Sequence, residues 1–221
     1  MKFSFTISLK IKSKSILMVG SGKPSWNPIL HLVFFKLPKI SENGKDTQEI
    51  RIPGTTIKGL IRTSATRIAQ LLGMTACGEI NPSKISEKHQ DHKLCDVCRV
   101  FGSPGCPSKV EVSNAKMIYP AEPFLLTRIS IDEKTGTKVE GALFTMEVLP
   151  PGSVFECTID AHNLDRREAM LLLTSIFNLK FIPFGRGSLV DVGVKFEKGK
   201  DAFMGDKELA MVVEVLENES L

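Results

Sequence analysis

No run in this 221-residue chain approaches the ~18 apolar residues that a membrane-crossing helix needs. The opening residues also lack the apolar core and cleavage site of a secretory signal, so the expectation is a cytoplasmic protein with no membrane partner. Five cysteines, an odd number, exclude a fully paired intramolecular disulfide framework. Internal repeats and low-complexity tracts are absent. Acidic residues are scarce early on: residues 1–70 hold 12 Lys and Arg against 3 Asp and Glu, a net of +9. Residues 71–200 balance at 16 against 16, and residues 201–221 hold 1 against 6. The overall +4 therefore hides a basic first third suited to a polyanion partner. Between Met18 and Ser41 there is no Asp or Glu, and His31 is the one obvious titratable candidate. A lone histidine among apolar residues is more often a core residue than a general base. Neither a Ser/His/Asp or Cys/His set nor a carboxylate pair of workable geometry stands out.

What is present is organised around Ile52-Pro53-Gly54-Thr55-Thr56-Ile57-Lys58-Gly59-Leu60-Ile61-Arg62. Pro53 and Gly54 make a turn, Thr55 or Thr56 caps a helix, and apolar residues follow at 57, 60, 61, 65, 68, 71 and 72. Lys58 and Arg62 are i,i+4 neighbours on one flank, with Arg67 on the other. Such a helix start, with N–H groups, hydroxyls and cations, suits an anion. Residues 3–11 alternate as a half-buried strand with a basic outer face. Residues 29–37 read as a second strand and 41–48 as a surface loop. A hairpin is expected around Asp132-Glu133-Lys134-Thr135-Gly136, ended by Pro150-Pro151-Gly152. A strand over 154–159 leads to a helix capped by Asn163 or Asp165 and running to about Leu179. The Gly-rich loop at Gly185-Arg186-Gly187-Ser188 enters a last strand over 189–196, and 211–216 read as a weak final strand. The order β, β, α, hairpin, β, α, β predicts an α+β fold, a ferredoxin-like split βαβ sheet with helices on one face.

Residues 74–114 break this rhythm and read as an insertion. Cys77, Cys95, Cys98 and Cys106 fall within it, with Cys95 and Cys98 at the C-x-x-C spacing that lets two thiolates grip one Zn2+. His89 and His92 are alternates. A shell of four protein ligands leaves no open position for catalytic water, so the expected Zn2+ is structural. Cys157 reads as a core residue. In the Gly-rich loop, two glycines admit close backbone approach and Arg186 offers a planar fork to phosphate. Arg128 and Lys134 on the hairpin suit a nucleic-acid backbone.

Taken together these stretches resemble the RAMP superfamily of CRISPR-associated proteins, most of all the repeated backbone subunit of type III effector complexes and its close paralogues. The residues that carry the resemblance are those at 52–62, Cys95-Asp96-Val97-Cys98-Arg99-Val100-Phe101-Gly102-Ser103, Arg128-Ile129-Ser130-Ile131-Asp132, Glu140-Gly141-Ala142-Leu143-Phe144 and Gly185-Arg186-Gly187. The resemblance implies an RRM-like palm from 1–73 and 151–200, a zinc-stapled lid over 74–114, a thumb hairpin over 115–150 and an acidic segment over 201–221. It implies subunits stacked along a CRISPR RNA, each thumb spacing the guide–target duplex. On that view Gly54, Thr55, Thr56, Lys58 and Arg62 meet guide phosphates, with Arg128, Gly185, Arg186, Gly187 and Ser188. Partners would be CRISPR RNA, target RNA and the neighbouring subunits. Subunits that cut target RNA carry an Asp two residues before a Pro, where this chain has Trp26 before Pro28; this favours a non-cutting role. The alternatives are a Mg2+-dependent target-RNA endoribonuclease using an acid such as Asp132, a metal-free guide-processing ribonuclease using His31, and a zinc-stabilised interaction domain without RNA.

Overall fold

The computed structural model describes residues 2–22, 30–40, 46–89 and 93–218. The alternation at the start becomes strand β1 (Phe3–Ser13), whose Phe3, Phe5, Ile7, Leu9 and Ile11 are buried. Two short strands follow, β2 (Lys36–Ile40) and β3 (Asp46–Ile52), then helix α1 (Gly54–Ile68). Helices α2 (Pro82–Lys88) and α3 (Asp96–Phe101) lie in the insertion, and β4 (Val110–Val112) and β5 (Ala115–Met117) return to the sheet. Then come the hairpin β6 (Phe124–Ile131) and β7 (Lys138–Val148), β8 (Val154–Leu164), α4 (Arg166–Phe177), β9 (Val190–Lys198) and α5 (Lys207–Asn218).

The main sheet runs β2-β3-β5-β8-β1-β9, with β4 also paired to β8 and its pairings antiparallel; β6 and β7 form a separate ribbon. The connection from β1 to β4 and β5, which contains β2, β3, α1 and the insertion, leaves β8 between those strands, and α4 connects β8 to β9, with β1 between them. These are two interleaved split βαβ units, the ferredoxin-like arrangement the element order predicts. The buried stripe of α1 (Ile57, Ile61, Ala65, Ile68) and that of α4 (Leu171, Leu172, Ile176) cover the apolar face of β1 and β8. Ser64 and Ser175, both small and fully buried, lie where the two helices meet, and Ser64 Oγ donates to Ser175 O at 2.8 Å.

Several expectations shift. Within the expected second strand β2 begins at Lys36, and residues 46–48 of the expected loop belong to β3; residues 29 and 41–45 lie outside the described residues. The N-cap of α1 is Pro53, with no side-chain cap; the Thr56 and Ile57 N–H groups donate to Pro53 O, so Thr55 and Thr56 do not cap. Asp165, not Asn163, caps α4: it accepts from Glu168 N–H at 2.9 Å while Glu168 accepts from Asp165 N–H at 2.8 Å, a capping box. Residues 211–216 lie in helix α5, because Leu209, Val213 and Leu216 recur at helical spacing, are buried, and follow Asp206, which accepts from Leu209 N–H. The basic outer face of β1 lies on the side of the sheet opposite α1. There Thr6 bonds Asp160 at 2.7 Å and Ser8 bonds Glu156 at 2.8 Å, so β1 and α1 cannot line one groove.

The start of α1 is jammed into a corner of the sheet. A methyl group on Gly54 would lie 2.1 Å from Val112 O and 2.8 Å from Ser113 O, while the Gly54 N–H donates to Asn114 Oδ1 at 2.8 Å. Gly54→Ala should therefore destabilise the protein by about 1–3 kcal/mol in urea unfolding; no measurable loss would mean that the corner relaxes freely. At the other helix, burial raises the Asp165 carboxyl, but the Glu168 N–H and the charges of Arg99, Lys2 and Lys109 outweigh it and hold it below its ordinary 3.8. A depressed carboxyl contributes stability above its unfolded value and loses it as pH falls through the folded one. Asp165→Asn, which keeps the cap, should thus cost more stability at pH 7 than at pH 3; an equal cost at both would remove the charge from the account.

Candidate metal centre and nucleic-acid interface

Cys95 is the N-cap of α3, its Sγ accepting from Cys98 N–H at 3.4 Å, so the C-x-x-C spacing turns both sulfurs to one side. Thr75 and Asp96 lock the preceding segment to this turn: Asp96 Oδ2 accepts from Thr75 N–H at 2.8 Å and Thr75 Oγ1 accepts from Asp96 N–H at 3.1 Å. That brings Cys77 Sγ to 3.6 Å from Cys98 Sγ. Sulfurs at ~2.3 Å from a tetrahedral ion lie about 3.8 Å apart, so this spacing suits one metal. The fourth group is His89, at the C-cap of α2; donor atoms of Cys77, His89, Cys95 and Cys98 all lie within 4.8 Å of one another. His89 Nδ1 is 3.2 Å from Lys93 O and its buried Nε2 has no partner. An imidazole anchored through Nδ1–H to a carbonyl, with Nε2 left over, is prepared to ligate.

Cys106 is not part of this group. It sits in a tight turn with Ser103, and its Sγ points to Pro107 O at 3.7 Å. The C-x-x-C spacing could be read from the chain, but the choice between Cys106 and His89 depends on α2 delivering the histidine. His92 lies outside the described residues. Burial raises the Cys77 thiol, yet the Glu79 backbone, Cys98, Cys95 and the Arg62 charge together lower it; burial first, then Cys95 and Cys77, push Cys98 up to about 12. The donor set therefore fits a thiolate-binding divalent ion such as Zn2+, which would supply the charge that stabilises several thiolates at once. Cys157, buried in β8, is also pushed up to about 12 by burial and the charge of Glu156.

Next to this centre runs a groove of about 590 Å³. The exposed face of α1 (Thr56, Gly59, Thr63, Thr66) forms its floor, Gly78, Glu79 and Ile80 one wall, and Gly185 the other. Arg62 and Arg67 line it, whereas Lys58 sits half-buried on the flank. Burial first, then the neighbouring Arg62 charge, lowers the Lys58 pKa against the pull of Glu111. Two expected anion groups are committed elsewhere: Gly54 N–H to Asn114, and the Arg62 guanidinium to Cys98 Sγ and Gly102 O, both at 3.2 Å. The Gly-rich loop is pinned to residues 16–18. Gly185 has φ +59° with its α-carbon against Met18 O, Arg186 N–H donates to Met18 O, and the buried Ser188 donates to Ile16 O at 2.5 Å. Gly187 is exposed with φ +87°.

Arg186 lies over the Phe144 ring, 5.6 Å from its centroid, and the His31 ring lies tilted against the same ring at 5.1 Å. The sequence did not signal this row of three; it arises because residues 31–34 run along β7, joined by His31 N–H to Thr145 O and Glu147 N–H to Leu32 O. His31 Nδ1 accepts from Thr145 N–H at 3.2 Å. Arg128 is exposed on β6, opposite Phe144. Asp132 is a turn residue: its Oδ1 accepts from Lys134 and Thr135 N–H, and those bonds lower its pKa. Trp26 lies outside the described residues.

Metal analysis of single variants checks the ligand set. Cys77→Ser, Cys95→Ser, Cys98→Ser and His89→Ala should each lower bound Zn2+ or weaken its retention against a chelator by at least tenfold, while Cys106→Ser should leave both unchanged. Loss of metal on Cys106→Ser would restore that cysteine to the site.

Among the described residues no helix is long and apolar enough to cross a membrane. No curated protein gives a significant match to this chain. The family model of the RAMP superfamily, however, matches residues 10–208, which run from the end of β1 through both helices of the split βαβ units, the hairpin and the Cys/His centre to the start of α5. With its antiparallel α+β sheet, this chain belongs to the RAMP superfamily of CRISPR-associated proteins.

Proposed function

We propose that the protein is an RNA-binding structural subunit of a type III CRISPR ribonucleoprotein effector complex, gripping the CRISPR RNA backbone and spacing the guide–target duplex with its hairpin. The observation that carries this reading is the groove shared by the helix after Pro53-Gly54 and the Gly185 loop. Its floor carries Thr56, Leu60 and the exposed Gly59, which admits close approach; the Thr63 and Thr66 hydroxyls donate back to Gly59 O and Arg62 O, and Arg67 lines the groove, while Arg186 follows Gly185 in the loop. Backbone-led, sequence-tolerant binding needs that combination of cations and close approach. In this reading Lys58, Arg67 and Arg186 meet guide phosphates with Thr55, Thr56, Gly185 and Gly187. Arg128 meets the duplex where the ribbon β6–β7 projects, and a structural Zn2+ holds the lid. Asp132, the acid on which target cleavage would call, spends one oxygen on its own turn, which favours holding RNA over cutting it.

Filter binding of a single-stranded guide-length RNA over a salt series tests the reading. Arg67→Ala, Arg186→Ala and Lys58→Ala should each weaken binding several-fold and reduce the slope of log affinity against log salt by about one. Unchanged affinity and slope for all three would place the RNA elsewhere.

A further inference from the structure

The groove and the metal centre share a side chain and a wall. Arg62 lines the groove, yet its two terminal nitrogens donate to Cys98 Sγ and Gly102 O, both in the cysteine turn. The opposite wall, Gly78 to Ile80, begins at the residue after Cys77. We propose that Arg62 is a positioning residue of the metal centre rather than a phosphate contact, and that metal binding builds one wall of the RNA groove, so that RNA affinity follows metal occupancy. This rests on the RNA-binding reading above.

The wall has little else to hold it. In α2 the one buried side chain is Ile85, and Ile80 is 93% exposed. Seven helical residues with one buried apolar group do not form a stable helix by themselves. The other ties are surface contacts, Lys88 to Glu79 at 2.8 Å and to Cys77 O at 3.0 Å, which add little. The main sheet is different: it is closed by α1, α4 and α5 over a core to which α2 adds the single side chain of Ile85. Removing the metal should therefore release 77–89 and leave the palm folded. Arg62 completes the link. A planar guanidinium reaches a sulfur and a carbonyl together, which a lysine ammonium at the end of a flexible stem does not reproduce.

The test uses the full chain, Zn2+-loaded and after removal of the metal with a strong chelator. Metal content, hydrogen exchange and filter binding of a guide-length single-stranded RNA are read on each form. The expected result is at least tenfold weaker RNA binding without metal, exchange protection lost at 77–89 and kept in β1 and β8. Equal RNA affinity in the two forms, or loss of protection in β1 and β8 together with the metal, would overturn the proposal. Arg62→Lys, which retains the charge, should lower Zn2+ affinity against a chromophoric chelator by about tenfold and lower RNA affinity in parallel. Unchanged Zn2+ affinity with weaker RNA binding would make Arg62 a plain phosphate contact and overturn its assignment. Should the loaded parent bind no RNA, the functional reading fails instead, while the chelator competition still decides the role of Arg62.

Discussion

The seating of α1 is the constraint on which the rest depends. Gly54 has no side chain because the Val112 carbonyl occupies the place one would take, and its N–H is capped from outside by Asn114 rather than by a threonine of its own helix. That contact fixes the helix axis against the β4–β5 corner. From there Ile57 and Ile61 reach the core, Ser64 meets α4, and the face carrying Thr56, Gly59 and Thr63 is turned outward. One helix thus supplies core, inter-helix contact and groove floor, and none of these faces can rotate without disturbing the other two.

The insertion is joined to this body by the buried side chains of Val97, Val100 and Phe101 on α3 and by a network of charges. Glu168 is 1% exposed and holds Lys109 at 2.6 Å and Arg99 at 3.1 Å, while Arg99 also reaches Asp165 at 3.0 Å. A buried carboxylate is costly unless its partners satisfy it, so the net contribution to stability is small while loss of one partner is expensive. Such a network discriminates between correct and displaced positions of α3 rather than adding cohesion. Since α3 carries Cys95 and Cys98, the same charges that orient α4 also hold half of the metal ligands in place.

What could be read from the chain was what local chemistry dictates. Residues 3–11 alternate strictly, the stripe after Pro53 has helical period, Asp165 precedes Glu168 by three, and Cys95 precedes Cys98 by three; each became the expected element. The remainder turned on distant partners. Thr55 and Thr56 lost the capping role because the helix begins ahead of them at Gly54, whose N–H is taken by Asn114, sixty residues away. The outer face of β1 looked basic because its neighbours in sequence are lysines, but β8 sets Glu156 and Asp160 beside it. Residues 211–216 look like a strand in isolation and become helical once Leu209 is counted with Val213 and Leu216. His89 displaced Cys106 for a reason of folding: Asn81-Pro82 marks the start of α2, but only the packing of that helix brings its C-terminal end to the cysteine turn.

The hairpin foot bears on the choice between holding RNA and cutting it. A general base needs a lone pair facing its substrate. In His31 the Nδ1 lone pair already accepts the Thr145 N–H, so the neutral ring carries its proton on Nε2 and presents a donor. Turning the ring to free Nδ1 would leave that backbone N–H without its partner, at the cost of a buried or half-buried hydrogen bond. Beside it Phe144 has the tilted imidazole and the Arg186 guanidinium both against its ring, and planar donors next to an aromatic ring suit phosphate oxygens and base faces alike. The foot of the hairpin therefore offers N–H groups and flat surfaces where a ribonuclease of the metal-free kind would need a proton acceptor.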